Sequence, residues 1–363
     1  MPQNRVWWAV EAVGFAQLGS QTYTAAHGVQ SVGVTTNFNL DPVQEIGQSR
    51  IYENLENIPD VEVTMEKVLD GYCPLYLLAT AGSTSATLFG RSNTRSTVAM
   101  TIFPDTYDSA SGVAVAQLQC SGLYVSSAGY TFPADGRFTE NVTLVGNEKL
   151  WKNSSAVTFS GGFNNQDQPL ALTYDSGGIQ RRQHMLFDYT GITTTDSNGA
   201  LNSTTAKKCT ILPRDIAGIS NSGTNELVTG TTNYQCSIQS IRTSVDFGRE
   251  ALFELGHFAP YYRYMNVPVN VTTEVEVISK SGDMVSATEG GVYSNYRNTR
   301  LATIKLATRD GLFIDLGTQN RLSNISIGGG DTGGAFQTIT YSFLTTNDFT
   351  VTHAQDVTGA LAA

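Results

Sequence analysis

Apolar and polar side chains alternate along Asp60–Val68: Val61, Val63 and Met65 point one way, and Asp60, Glu62, Thr64 and Glu66 the other. A period of two belongs to a half-buried β-strand. The same alternation returns later, with Val269, Val271, Thr273, Val275 and Val277 set against Asn270, Thr272, Glu274 and Glu276. The stretch ahead of the strand repeats as well. Val29-Gln30-Ser31-Val32, Phe38, Glu45-Ile46-Gly47, Tyr52 and Asn57-Ile58-Pro59 recur 209 residues on. They return as Ile238-Gln239-Ser240-Ile241, Phe247, Glu254-Leu255-Gly256, Tyr261 and Asn266-Val267-Pro268. After the proline the register slips by one. The identities fall at glycine, proline, aromatic and acid positions, which predicts a duplicated domain. The period is far longer than the roughly 20–50 residues of a solenoid.

The remaining alternations predict an opening strand over Arg5–Gln17, a second over Val29–Asn37, and further strands at Thr97–Phe103, Val113–Tyr124 and Phe138–Val145. A turn at Pro133-Ala134-Asp135-Gly136 separates the last two. In the second half, strands are expected at Cys209–Ile219, Glu226–Thr232, Leu301–Ala307, Leu312–Leu316 and Phe336–Leu344. Pro74–Thr80 is the best helix candidate, with proline tolerated in the first turn. Leu40–Ile58 and Arg249–Val267 read as long loops, and Arg249–Gly256 could close one or two helical turns with Gly256 as the stop. Loops of this length in compact domains are usually functional, and keeping one twice implies a job that recurs twice. The expected organisation is a first domain over 1–152, an inserted Ser/Gly/Asn/Thr-rich connection over 153–207 with a strand at Gln183–Tyr189, a second domain over 208–352, and a frayed tail over 353–363.

Composition agrees with a mainly β chain: 363 residues, only 15% charged, rich in Thr, Ser, Asn, Gly and Val. A net charge of −10 lacks the basic footprint of a nucleic-acid binder. No apolar run approaches the ~18–20 residues of a membrane span, and Val6–Val10 is too short for a signal peptide. Cys73, Cys120, Cys209 and Cys236 stand singly and read as free thiols of a reducing compartment. The one catalytic suggestion is the pair of triplets Asp175-Ser176-Gly177 and Asp331-Thr332-Gly333, since an aspartic protease needs two close carboxylates sharing a proton. A glycine run precedes Asp331, however, and Asp175 lies in the unrepeated insertion, so both read as turns. His27, His184, His257 and His353 lack zinc-site spacing, and no glycine fingerprint for phosphate stands between a strand and a helix. Tyr261-Tyr262-Arg263-Tyr264 could stack bases, but in an acidic chain reads as packing or subunit contact. No catalytic, cofactor or metal site is expected.

The stretch Gly28–Phe38, with Glu45-Ile46-Gly47-Gln48, Tyr52-Glu53-Asn54, Ile58–Thr64 and Leu69-Asp70-Gly71, resembles phage major tail tube proteins of the tandem-duplicated, long non-contractile type. Gly248-Arg249-Glu250, Glu254-Leu255-Gly256, Pro260–Arg263, Pro268 and Arg214–Ile219 carry the resemblance into the second half. It implies two antiparallel β-sandwich or barrel domains per chain, each with a short helix, six such domains per ring, and rings stacked into a tube. The expected partners are further copies in trimeric, pseudo-hexameric rings, tape measure and terminator or distal tail proteins, and phage DNA passing without specific binding. The expected location is the virion, after assembly in the host cytoplasm, with no membrane contact. Glu45, Gly47, Tyr52, Glu254, Gly256 and Tyr261 are then candidates for ring stacking. Asp60, Glu62, Glu66, Glu274 and Glu276 are candidates for the channel face, because DNA carries a charge about every 1.7 Å and a basic wall would hold it. Other ring proteins of a tail, such as a distal or baseplate part, and capsid-decorating proteins remain rival readings.

Overall fold

In the computed structural model of the chain, the residues described are 11–20, 22–80, 88, 93–104, 113–160, 171–172, 176–185, 193–195, 201–202, 210–211, 238–278, 304–308, 310–329 and 336–353. The first half contains β1 (Glu11–Gln17), β2 (Thr22–Ala25), β3 (Val29–Asn37), β4 (Leu40–Gln44), β5 (Ile51–Glu56), β6 (Asp60–Val68), α1 (Leu75–Ala79), β7 (Ser96–Ile102), β8 (Val113–Pro133), β9 (Thr139–Gly146), β10 (Glu148–Ala156) and β11 (Thr158–Ser160). Short pieces follow: β12 (Ala171–Leu172), β13 (Ser176–Gly177), β14 (Thr193–Thr195), β15 (Leu201–Asn202) and β16 (Thr210–Ile211). The second half contains β17 (Ile238–Asp246), β18 (Arg249–Leu252), β19 (Tyr262–Met265), β20 (Asn270–Ile278), β21 (Ile304–Ala307), β22 (Phe313–Asp315), β23 (Arg321–Gly328), β24 (Thr338–Thr346) and β25 (Thr350–Thr352). The protein is mainly β, as its composition implies.

The 21-residue β8 joins two layers. Its first half lies between β7 and β10 in a sheet that continues through β1 and β2 to β11. Gly122, at φ 67°, marks the bend; few L-residues with a Cβ adopt that conformation cheaply. Beyond it, β8 pairs with β9 on one side and β17 on the other. The resulting run is β3-β6-β9-β8-β17-β20-β24-β23, antiparallel at every step. In the second half β16-β21-β22-β25 form the facing sheet, and Gly317 at φ 70° stands between β22 and β23. The layers close on a continuous core that includes Phe15, Leu77, Val63, Leu144, Val275, Tyr341, Ile314 and Val351.

Helix α1 is fully buried. Its first turn is held by Glu140, whose carboxylate accepts hydrogen bonds from Leu75 N (2.6 Å), Tyr76 N (3.0 Å) and Tyr130 Oη (2.7 Å). Negative charge at a helix N-terminus is favourable, and these N–H groups have no partner within the helix. Burial pushes the Glu140 carboxyl up, against these hydrogen bonds and nearby Lys67. Lys67 is itself buried, donating to His27 O at 2.7 Å and meeting Asp70 at 2.9 Å. Among the described residues of the second half no helix is present, and Arg5–Val10, Cys209, Cys236, Arg214–Ile219, Glu226–Thr232, Asp175 and Asp331 lie outside the described residues.

Several sequence expectations differ from the fold. The strand expected at Gln183–Tyr189 begins instead inside a 3-10 turn, Arg182–His184. Both long loops are β-hairpins, β4–β5 and β18–β19, so the helical turns expected at Arg249–Gly256 are absent. Glycine ends a strand at a hairpin tip as readily as it ends a helix, and a local pattern does not separate the two. Strand β8 runs past Tyr124 to Pro133, because a partner on each side holds the weak β-formers Ser126, Ser127 and Gly129 extended. Strand β10 runs across the boundary expected at 152, pairing with β8 from Glu148 to Ala156. Strand β23 had no signal in the sequence. A bulge between Leu322 and Asn324 breaks its alternation, so Leu322, Ile325 and Ile327 fall out of a period of two.

Candidate functional site

Two surfaces carry the residues singled out by the sequence. The first is the pair of hairpins. Their registers match: Leu40 opposite Glu56 and Val43 opposite Glu53 in one, Arg249 opposite Met265 and Leu252 opposite Tyr262 in the other. Each is entered through a positive φ, Asn39 at 44° and Gly248 at 53°, and each turns at a glycine, Gly47 at φ 94° and Gly256 at φ 92°. At the tips Gln48 N donates to Glu45 O (3.2 Å) and His257 N to Glu254 O (3.4 Å). Glu254 also lies 3.7 Å from His257 Nε2, and Glu45 accepts from Gln48 Nε2 at 2.8 Å. Ile46 and Leu255 project fully into solvent, at 104% and 103% exposure, with Tyr52 and Tyr261 exposed behind them. Phe38, Leu40, Ile51, Phe253 and Phe258 are exposed on the same elements. Exposed apolar side chains gathered on one element are the kind of surface that interaction sites use.

The hairpins differ in what they rest on. The base of β18–β19 lies against the first half of the chain. Arg249 Nε donates to Val125 O at 2.9 Å, and its guanidinium sits 5.2 Å from the Tyr124 ring centre. Burial lowers the Arg249 pKa to about 10. Tyr262 meets Tyr124 edge-on at 5.8 Å and donates its hydroxyl to Asn93 Oδ1 at 2.6 Å. Arg263 binds Asp60 and donates to Asn147 Oδ1 at 3.1 Å. By contrast every residue of β4 and β5 is exposed.

The second surface is the face of the eight-strand run that is turned away from the core. Glu62, Thr64 and Glu66 of β6 project from it, opposite the buried Val61, Val63 and Met65. So do Arg242 and Ser244 of β17 and Glu274 and Glu276 of β20, with Glu276 accepting from Ser240 Oγ at 2.9 Å. A shallow depression of about 280 Å³ opens beside Gly129, among Thr131, Asn141, Arg242 and Glu274. Asp60 stands apart from this set. It is tied to Arg263, to Asn39 Nδ2 at 2.8 Å and to Asn147 Nδ2 at 3.2 Å, so it anchors the second hairpin as well as meeting solvent. Nothing in the sequence near Asp60 announces that role, since Arg263 lies in the other half of the chain.

A third feature was missed by sequence reading. Asp310 and His353 are both buried, with Asp310 Oδ2 3.8 Å from His353 Nε2, and Thr308 Oγ1 and Leu312 N (3.2 Å) donate to Asp310. Burial pushes the Asp310 carboxyl up, but His353 and these hydrogen bonds outweigh it and hold it below the ordinary value. Cys120 is buried and its thiol pushed up to about 11 by that burial, which suits packing rather than reactivity. Among the described residues no group of three or more His, Cys, Asp or Glu could hold a metal ion, and no helix is long and apolar enough to cross a membrane.

No known protein-family model matches this chain. Curated proteins give no match either. Among solved structures, the chain is similar to one from the anti-feeding prophage baseplate, with 12% identity, 43% of this chain and 99% of that one covered, and a TM-score of 0.32. It is similar to another from the cap that terminates the anti-feeding prophage tube, with 8% identity, 42% and 94% covered, and a TM-score of 0.31. A third, from the tail of an empty GTA particle, gives 9% identity, 33% and 85% covered, and a TM-score of 0.23. Likenesses this weak leave the function to the chain's own geometry.

Proposed function

We propose that the chain is a structural protein of a phage tail that polymerises into stacked rings, forming the tube through which DNA leaves. The observation that carries this reading is the junction of β8 with β17. There, β3-β6-β9-β8 meets β17-β20-β24-β23 edge to edge, seven residues in register from Ser240–Pro133 to Asp246–Ser127. Among the described residues β3 and β23 each have a partner on one side only, so the run ends in two open edges. Open edges recruit strands from other chains unless they are blocked. A head-to-tail contact between such edges closes into a ring when its rotation allows. If the two four-strand units are products of duplication, three chains supply six units. The exposed Ile46 and Leu255 tips then reach the adjoining ring, each apolar side chain contributing roughly 1.5–3 kcal/mol when covered. The face carrying Glu62, Glu66, Glu274 and Glu276 lines the channel.

Electron microscopy of the purified full chain tests this. Long hollow tubes built from rings of three chains are expected. Six chains per ring would leave the second unit as an outer decoration, and discrete particles that never stack into tubes would favour a distal ring or decorating protein.

A further inference from the structure

Two strands of the internal junction have counterparts elsewhere in the chain, matched by their register shifts. Strand β17 repeats β3 down to the bulge: β3 shifts register against β6 between Val29 and Ser31, and β17 shifts against β20 between Ile238 and Ser240. Strand β23 repeats the second half of β8 in the same way. It shifts against β24 between Leu322 and Asn324, as β8 shifts against β9 between Val125 and Ser127. Val34 therefore holds in β3 the place of Thr243 in β17, and Ile327 holds in β23 the place of Tyr130 in β8. Thr243 and Tyr130 are paired across the internal junction and both are buried. Ile327 is 47% exposed on an open edge.

The hairpins extend the correspondence. Glu53 stands in β5 where Tyr262 stands in β19, and Arg321 stands in β23 where Tyr124 stands in β8. Tyr262 and Tyr124 touch inside the chain. Their counterparts carry opposite charges and both are exposed. Likewise, by strand register the ion pair of Arg263 with Asp60 has as its counterpart Asn54 with Asn270, two neutral amides. At both places the chemistry of the two partners changes together and stays complementary.

We infer that β23 of one copy pairs antiparallel with β3 of the next with Ile327 opposite Val34, and that the β4–β5 hairpin docks there through an ion pair of Glu53 with Arg321. The occupant of both open edges is thus a second copy of this chain. The inference rests on the ring reading above and adds its register and its polar lock. Thr35 then lies opposite Ser326 and Gly33 opposite Gly328, which continues the open polar face without a step. Val34 and Ile327 continue the core.

Paired strands place facing Cα atoms about 4.5–5.5 Å apart, within reach of a disulfide. Full-length Val34→Cys/Ile327→Cys, assembled and then oxidised, should run as covalent dimers and trimers on a non-reducing gel, whereas Val34→Cys/Ser326→Cys should stay monomeric. Each single variant, checked for native circular dichroism, controls for the native cysteines. Independently, Glu53→Arg or Arg321→Glu alone should raise the critical concentration for assembly about tenfold or more, and the double swap should restore it. Wild-type tubes without the 34–327 link, or with the 34–326 link instead, overturn the register and leave the ring standing. Single charge reversals that assemble like wild type overturn the polar lock. Wild-type protein that forms neither rings nor tubes overturns the ring reading and this inference with it.

Discussion

Glu140 shows how one side chain decides local structure. It is fully buried, and it satisfies two helix N–H groups and one phenol at once. Glu140→Ala would leave those donors buried without an acceptor, at a cost of roughly 3–5 kcal/mol, and Glu140→Gln should cost less. Chemical denaturation of the two variants measures both. Asp310 permits a pH prediction with a definite sign. Its folded pKa lies below the ordinary carboxylate value, so its contribution is present above about pH 4 and is lost as pH falls through the folded value. The wild-type melting temperature should fall with acid more steeply than that of Asp310→Asn. Parallel acid limbs for the two proteins would remove Asp310 from the account.

At the scale of elements, the hairpins separate stability from assembly. Strands β4 and β5 pair only with each other among the described residues, and Asn57 N closes their base by donating to Asn39 O at 3.3 Å. Removing residues 43–56 should therefore leave a folded, soluble chain that no longer polymerises. Sedimentation gives the assembly state, and tubes of normal length from the deletion would end the stacking role. The second hairpin does not permit the same experiment, because Arg249 and Arg263 fasten it to Tyr124 and Asp60. Its removal would also expose part of the first half of the chain.

For the whole molecule, the distribution of charge on the open face matters more than the net charge of −10. Glu62, Glu66 and Glu274 take no part in the core, so Glu62→Lys/Glu66→Lys/Glu274→Lys should fold and assemble. Lining a channel, the three lysines would slow genome release, most visibly at low salt, since screening acts over about 8 Å at physiological ionic strength. Release kinetics measured on particles carrying the variant decide it. Unchanged kinetics at low salt would put this face on the outside.

The period-two runs at Asp60–Val68 and Asn270–Ile278, the helix after Pro74 and the paired glycine-bearing segments were legible from the sequence alone. Each is a local pattern in which successive side chains meet opposite environments or a turn needs a glycine. The long continuation of β8, strand β23, the hairpin form of the two long loops and the Arg263–Asp60 bond were not legible. Pairing with distant strands outweighs weak local propensity in the first two cases, where a bulge also hides the alternation. A glycine-ended segment is equally compatible with helix or hairpin until tertiary contacts choose. Which acids remain on an open face and which hold a neighbouring copy depends on where the two halves meet, and residue spacing alone does not carry that.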